Sequence, residues 1–423
     1  MKRRHPLGDV ECNPETLALG LGYDPKLSEG SVKPPVFLTS TFQFESADAG
    51  RRFFELAYGL RQADPGEVPG LIYSRLNNPN LQIFEERLSA WDRTEAGATF
   101  ASGMAAISTT LLALLRPGDV VLATSPVYGG THYLLEHILP RFGITTRWVP
   151  AGSDAAQAMR AVAEEVGPDT VRALYIETPA NPSNVMTDIA AIAGLARDLS
   201  VGRERPALTL VDNTFLGPVF QRPATLGADL IIYSATKFIG GHSDLIAGVV
   251  TGSRILLHHV LESRTIMGTM CNPFVGWLLL RSLETLSVRM RRQAKSARAL
   301  ATLLADHPAI ERVAYPGMDH DDLAQQAIYD RQCSGAGSLV SFEVKGGQPA
   351  AYRVLDRFQI IRLAVSLGGT ESLVEHPMTM THSDIPPDQL ERYGVRPGLI
   401  RLSVGLEHLS DLKRDLRYAL AEA

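Results

Sequence analysis

From about residue 76 to 252 the chain alternates short apolar runs with longer segments of helical spacing. Ala98–Phe100, Val120–Ala123, Val171–Ile176, Leu208–Val211, Leu230–Tyr233 and Ala247–Val250 predict strands. Met104–Leu115, Thr131–Arg141, Ala155–Val166 and Ile189–Leu199, lying between them, predict helices. Strands that alternate with helices imply βαβ units, hence an α/β fold with a mostly parallel sheet. The runs are near-continuously apolar rather than apolar at every second residue, as expected when both faces of a sheet are covered.

The texture changes beyond about residue 265. Phe274–Arg298 has helical periodicity with arginines gathered on one side. Then come a strand at Ser338–Val344, a Gly-rich break, a helix near 349–358, a strand near 360–365 and a terminal helix from about Leu409. This predicts a smaller α+β domain. The first 75 residues hold Pro25, Pro34, Pro35, Pro65 and Pro69, with a polar Gly/Pro-bearing patch near 61–70. They read as an irregular arm that wraps another surface. The expected division is an arm at 1–75, an α/β domain at 76–265 and an α+β domain at 266–423, with no internal repeat.

Composition narrows the class. The chain has 423 residues, of which 45% are apolar and 21% charged, enough to bury large cores and too much for a disordered chain. The net charge of −5 gives no basic surface for nucleic acid or an anionic membrane. Three scattered cysteines, Cys12, Cys271 and Cys333, form neither a disulfide framework nor a CxxC zinc site, and suggest a reducing, cytoplasmic setting. The basic start Met1–Pro6 is followed by no apolar segment, so no secretory signal is expected. Ala96–Leu115 is uncharged and long enough to span a bilayer, but its hydroxyls and glycines suit a strand, turn and helix better.

The strongest chemical signal is Ser234-Ala235-Thr236-Lys237, directly after a strand. The C-terminal ends of such strands are where α/β sheets bind ligands. A lysine there can form a Schiff base, and hydroxyls one and three residues before it can hold phosphate oxygens. Asp212 ends the preceding strand, where an aspartate can pair with a pyridinium nitrogen or simply cap a helix. Ser102-Gly103-Met104 opens a helix whose N–H groups can bind an anion. Tyr128 is placed to stack on a planar cofactor, and Arg75 to contact a phosphate. Ser234-x-x-Lys237 also fits a serine acyl-hydrolase, but the S-D-N and K-T-G partners of that motif do not occur.

Together these residues resemble the cysteine/methionine-metabolism pyridoxal phosphate enzymes, the group of cystathionine γ-synthase, cystathionine γ-lyase, methionine γ-lyase and O-acylhomoserine sulfhydrylases. The landmarks run over nearly the whole chain: Tyr73-Ser74-Arg75, Ala101–Met104, Arg116–Asp119, Tyr128-Gly129, Glu177–Pro182, Val211–Thr214, Ser234–Lys237, Val365–Gly368, Met380–Ser383 and Arg401–Glu407. The resemblance implies the pyridoxal phosphate-dependent transferase fold type I.

It also implies roles. Lys237 would carry the cofactor and move protons, Asp212 would keep the pyridine nitrogen protonated, and Tyr128 would stack on the ring and act as acid or base. Gly103, Met104, Ser102, Ser234 and Thr236 would hold the phosphate, with Thr214 beside the cofactor. Tyr73 and Arg75 would reach the phosphate of a neighbouring subunit, which implies a dimer or, usually, a homotetramer. Arg401 would grip the substrate carboxylate, with Asn181 and Ser366 nearby. The expected chemistry is γ-elimination, giving 2-oxobutanoate and ammonia, or γ-replacement by a thiol. Val365, where cystathionine-handling members tend to carry glutamate, favours a thioether such as L-methionine. Gly130, where methionine γ-lyases typically carry cysteine, and the Tyr128–Thr131 run look more like cystathionine enzymes.

Overall fold

Seven strands pair into one sheet, in the order β1-β7-β6-β5-β4-β2-β3. They are β1 (Ala96–Phe100), β2 (Val120–Ser125), β3 (Thr145–Pro150), β4 (Val171–Glu177), β5 (Leu208–Asp212), β6 (Leu230–Tyr233) and β7 (Gly248–Gly252). Only β7 is antiparallel to its neighbours; the pairs from β6 through to β3 are parallel. The structure is a computed structural model that describes residues 12–421 except 58, 65, 66, 68, 69, 319–321 and 384. The start Met1–Pro6, Pro65 and Pro69 lie outside the described residues.

Helices cover both sheet faces, which explains the near-continuous apolar runs. Eleven come first: α1 (Pro14–Gly20), α2 (Ala47–Ala57), α3 (Pro79–Asp92), α4 (Gly103–Leu114), α5 (Gly129–Tyr133), α6 (Ala155–Val166), α7 (Ile189–Leu199), α8 (Gly217–Phe220), α9 (Arg254–Met267), α10 (Pro273–Leu283) and α11 (Leu286–Ala305). Val121 and Ala123 of β2 face one core with Ile107 and Leu111 of α4 and Leu257 of α9. Val120 and Leu122 of the same strand face another, with Met159 of α6 and Ile192 and Leu195 of α7. A strand alternates its side chains between faces, so both sets must be apolar.

The second sheet runs β10-β11-β12-β9-β8. Its strands are β8 (Ile310–Ala314), β9 (Leu339–Val344), β10 (Arg362–Leu363), β11 (Leu373–Glu375) and β12 (Leu399–Ser403). Only β10 and β11 are parallel. The chain's last helices are α12 (Leu323–Gln332), α13 (Gly347–Arg357), α14 (Pro387–Arg392) and α15 (Leu409–Leu420). Val354 of α13 and Leu412 and Leu416 of α15 bury this sheet's Val340, Phe342, Ile400 and Leu402. Leu286 and Met290 of α11 belong to the core of the large sheet, whereas Leu300 and Leu304 belong to that of the small one. We therefore propose a domain boundary inside α11 rather than at 265/266.

Several expectations need correction. Residues 1–75 are not irregular throughout, because α1 and α2 lie within them. Ala18 and Tyr23 enter the main core, and fully buried Arg87 of α3 donates to the carbonyls of Ala18, Leu19 and Leu21 at 2.7, 3.2 and 2.9 Å. A long-range arginine contact ties this segment down, and no local pattern encodes it. Phe274–Arg298 is two helices, α10 and α11, rather than one. Thr131–Arg141 is helical in three successive geometries, with α, π and 3₁₀ segments from Gly129 to Phe142. The strand near 360–365 shrinks to the two edge residues of β10. Ala96–Leu115 folds as β1, a turn and α4, and no described helix is long and apolar enough to cross a membrane.

Candidate active site

The parallel strands of the large sheet end along one edge, and their loops open there beside the small domain. A cavity of about 280 Å³ lies at that edge. It brings together Ser102, Gly103, Met104, Tyr128, Asn181, Asp212, Thr214, Ser234, Thr236, Lys237, Ser366 and Arg401. Tyr73, Arg75 and Val365 do not line it. Tyr73 is 40% and Val365 55% exposed, and exposed Arg75 donates to the Thr265 carbonyl at 2.8 Å.

Lys237 sits four residues past Tyr233, the last residue of β6. Its Nζ donates to Ser366 Oγ at 2.9 Å. Burial, with the Arg401 charge nearby, lowers its pKa to about 8, against a partial opposing pull from Glu375. An amine in this condition has a neutral, nucleophilic fraction near physiological pH far larger than an exposed lysine's. Ser234 is not the hydrogen-bond partner of this amine among the described residues, so the geometry gives the S-x-x-K alternative no support.

Asp212 ends β5 beside Glu177 of β4 in the ladder. Its Oδ1 accepts the Thr214 N–H at 3.0 Å, and its Oδ2 accepts the Tyr175 hydroxyl at 3.4 Å. Burial raises both carboxyls, and the Asp212 charge adds to the rise at Glu177, against the Tyr128 and Asn181 amides and the Arg401 charge, which favour its ionised form. Two such buried carboxyls favour a cationic ligand between or above them.

At α4 the Ser102 hydroxyl accepts from Ala105 N–H at 3.0 Å, which leaves the first-turn amides of Gly103 and Met104 for a ligand. A Cβ on Gly103 would stand 2.9 Å from Ser234 Cβ, so only glycine lets these two loops meet. Gly130 has a similar reason: a Cβ there would stand 2.6 Å from the Tyr128 ring.

Arg401 of β12 is 3% exposed. Nη1 donates to Asn181 Oδ1 at 2.9 Å and pairs with Glu375 at 2.9 Å, and Nη2 donates to the Ser366 carbonyl at 2.9 Å. Its buried Nε has no partner among the described residues. That unsatisfied donor is suited to a ligand's carboxylate. Ser366 joins the two cations, with its hydroxyl on Lys237 and its carbonyl on Arg401, and holds a left-handed φ of 88° to do so.

The expected cofactor requires an amine for its aldehyde, an anion for its ring nitrogen and donors for its phosphate. Lys237, Asp212, and the Gly103 and Met104 amides with the Ser234 and Thr236 hydroxyls supply these around one cavity, so the residues fit pyridoxal phosphate. Glu177, Glu375 and Thr381 receive no role from the sequence. Glu177 ends an apolar strand, the same signal that marks Asp212. Glu375 and Thr381, which donates to Glu375 at 3.0 Å, are noticeable only once Arg401 is in place.

A Cys/Met metabolism PLP-dependent enzyme profile matches residues 15–421. The chain is 40% identical to an L-methionine gamma-lyase of Pseudomonas putida, over 96% of each chain. It is 39% identical to an O-succinylhomoserine sulfhydrylase of Pseudomonas aeruginosa, over 96% of this chain and 95% of that one. A crystal structure of cystathionine gamma synthase from Xanthomonas oryzae pv. oryzae superposes with a TM-score of 0.86 at 32% identity, covering 98% of this chain and 99% of that one.

Proposed function

The chain belongs to the Cys/Met metabolism PLP-dependent enzyme family, and within it we propose γ-elimination on L-methionine, giving 2-oxobutanoate, ammonia and methanethiol. The observation that carries this reading is the apolar cavity wall: Met104, Ile107, Phe215, Ile246 and Leu367. The described charged residues of the lining are Glu177, Asp212, Lys237 and Arg401. Glu177 faces backbone amides, and the other three have the roles given below, so none is left for a distal ammonium or carboxylate. An S-methyl thioether needs neither. The similarity to L-methionine gamma-lyases supports the same substrate.

Pyridoxal phosphate, when bound, supplies an aldehyde for the substrate amine and a ring that accepts the electron pair of a deprotonated carbon. The chain's residues do the rest. Arg401 holds the substrate carboxylate through its unpartnered Nε. Lys237 would take the Cα proton, give it up to the cofactor-bound substrate and, neutral again, take a Cβ proton, within reach because Ser366 holds its amine at the cavity wall. Asp212 is the anion that keeps a ring nitrogen protonated. Tyr128 gives the departing thiolate its proton.

The exposed positions of Tyr73 and Arg75, outside their own chain's cavity, support a role at a neighbouring subunit's cofactor phosphate and a homotetramer built from such pairs. The unpaired cysteines support a cytoplasmic location.

The test is 2-oxobutanoate release by the cofactor-loaded enzyme with L-methionine as sole substrate. Release together with methanethiol is expected. No release, with product formed only from an O-acylhomoserine plus thiol, would replace this reading with γ-replacement, the activity named for the sulfhydrylase relative.

A pH dependence also follows. Burial disfavours the charged amine, so Lys237 becomes nucleophilic near pH 8 instead of near 10.5. The rate at which the apoenzyme takes up the cofactor's aldehyde should rise about tenfold from pH 7 to pH 9 and then level off. A stopped-flow absorbance series checks this. A rate still rising at pH 10 would mean that the lysine is not desolvated.

A further inference from the structure

Glu177 ends β4 at the cavity, 4% exposed, and none of the steps above uses it. Its two oxygens go to two different loops. Oε2 accepts the Tyr128 N–H at 2.9 Å, and Oε1 accepts the Asn181 N–H at 3.0 Å. Asn181 Oδ1 in turn accepts from Arg401 at 2.9 Å. A buried carboxylate is costly, the more so beside Asp212, and persists only where its hydrogen bonds require it. These bonds do require it, because two N–H donors, one on each oxygen, need two acceptor oxygens. An amide side chain has only one, and its NH₂ would face the second donor.

We propose that Glu177 is a positioning residue that locks the Tyr128 loop to the Asn181–Arg401 grip. One side chain then sets both the aromatic ring over the cofactor and the group that receives the substrate carboxylate. The inference rests on the assignment of this cavity to pyridoxal phosphate and an amino acid.

Glycine is the probe, because it carries the amine and carboxylate but no γ-substituent to eliminate. Its affinity is read from the change in cofactor absorbance on titration. The ring's setting before any substrate is read from visible circular dichroism of the cofactor band. Glu177→Gln should weaken glycine at least tenfold and alter the dichroism. Asn181→Ala should weaken glycine and leave the dichroism as in the parent, since it leaves the Tyr128 contact intact. The double variant should lose less than the product of the two single losses.

A Glu177→Gln protein with a lower melting temperature but parental glycine affinity and dichroism would overturn the proposal, showing only a structural role. If that variant does not fold, Glu177→Asp replaces it. The shortened carboxylate cannot span both donors, so it should reproduce both losses, and parental behaviour would overturn the proposal. A parent protein without any cofactor band would remove the cavity assignment, and this inference with it, before a variant is made.

Discussion

Lys237→Ala is expected to lower methanethiol release from L-methionine by at least about a thousandfold, the upper half of what a positioned proton-transfer group contributes. Two functions are lost together. The variant has no amine to hold the cofactor covalently, and no base at the cavity wall to take the Cα proton. The buried setting makes both losses hard to replace. Lys237 is largely shielded from water, with Ser366 Oγ 2.9 Å from its amine, so bulk solvent cannot stand in as the base. Borohydride treatment followed by intact-mass measurement checks the first function. The parent should gain the mass of the reduced cofactor at Lys237, and the variant should gain none. Turnover checks the second. A variant that keeps more than a tenth of parental turnover would show that another group is the base. A parental enzyme abolished by Ser234→Ala but not by Lys237→Ala would revive the acyl-hydrolase alternative.

The largest effect on stability is expected from Glu375→Ala. Arg401 and Glu375 are 3% and 1% exposed at the side chain and lie 2.9 Å apart. Removing one partner of a buried ion pair leaves the other charge uncompensated, which costs about 3–5 kcal/mol. Asn181 and the Ser366 carbonyl still accept from the guanidinium, but both are neutral. Arg401 is already disfavoured in its charged form by burial, with Glu375 as the larger of two compensating charges. Urea denaturation of the cofactor-loaded enzyme should therefore show a clearly lower midpoint. KM for L-methionine should rise as well, because an arginine without its brace no longer presents Nε to the carboxylate. Cofactor affinity should change little, since Glu375 does not line the cavity. A loss below about 1 kcal/mol would mean that water or a rearranged side chain neutralises Arg401 in the variant.

Some elements are readable locally and others are not, for physical reasons. β2, β4, β5 and β6 announce themselves because every residue except half-buried Arg172 is buried on one face or the other. Their C-terminal residues, Glu177 and Asp212 among them, stand out as polar ends of apolar runs. The exposed edge strands β3 and β8 give no such signal. β3 is exposed at Thr145, Arg147 and Pro150, and β8 at Glu311 and Arg312, so neither reads as a core strand. α3 is hidden for the opposite reason. It is buried nearly all round, and it carries Glu85, Arg87 and Asp92 inward, where a stripe of charge looks like a solvent face. Asp92 accepts the Tyr233 and Thr251 hydroxyls, both more than a hundred residues away.

The same division holds at the site. The order of chemical types along the chain, with Lys237 after one strand, Asp212 after another and a small-residue helix start at Ser102–Met104, is local, and it determined the family, the fold class and the cofactor. Each of these features is a strand end or helix start whose backbone geometry follows from a few neighbouring residues. The tertiary structure alone decided which side chains act together. It placed Ser366 between Lys237 and Arg401, hid Glu375 behind Arg401, and gave Glu177 two loops to hold. It also left Tyr73, Arg75 and Val365 outside the cavity. Such pairings depend on contacts between residues tens to hundreds of positions apart, and a chain carries no local signal of which distant donor will meet which acceptor until packing brings them within hydrogen-bond reach.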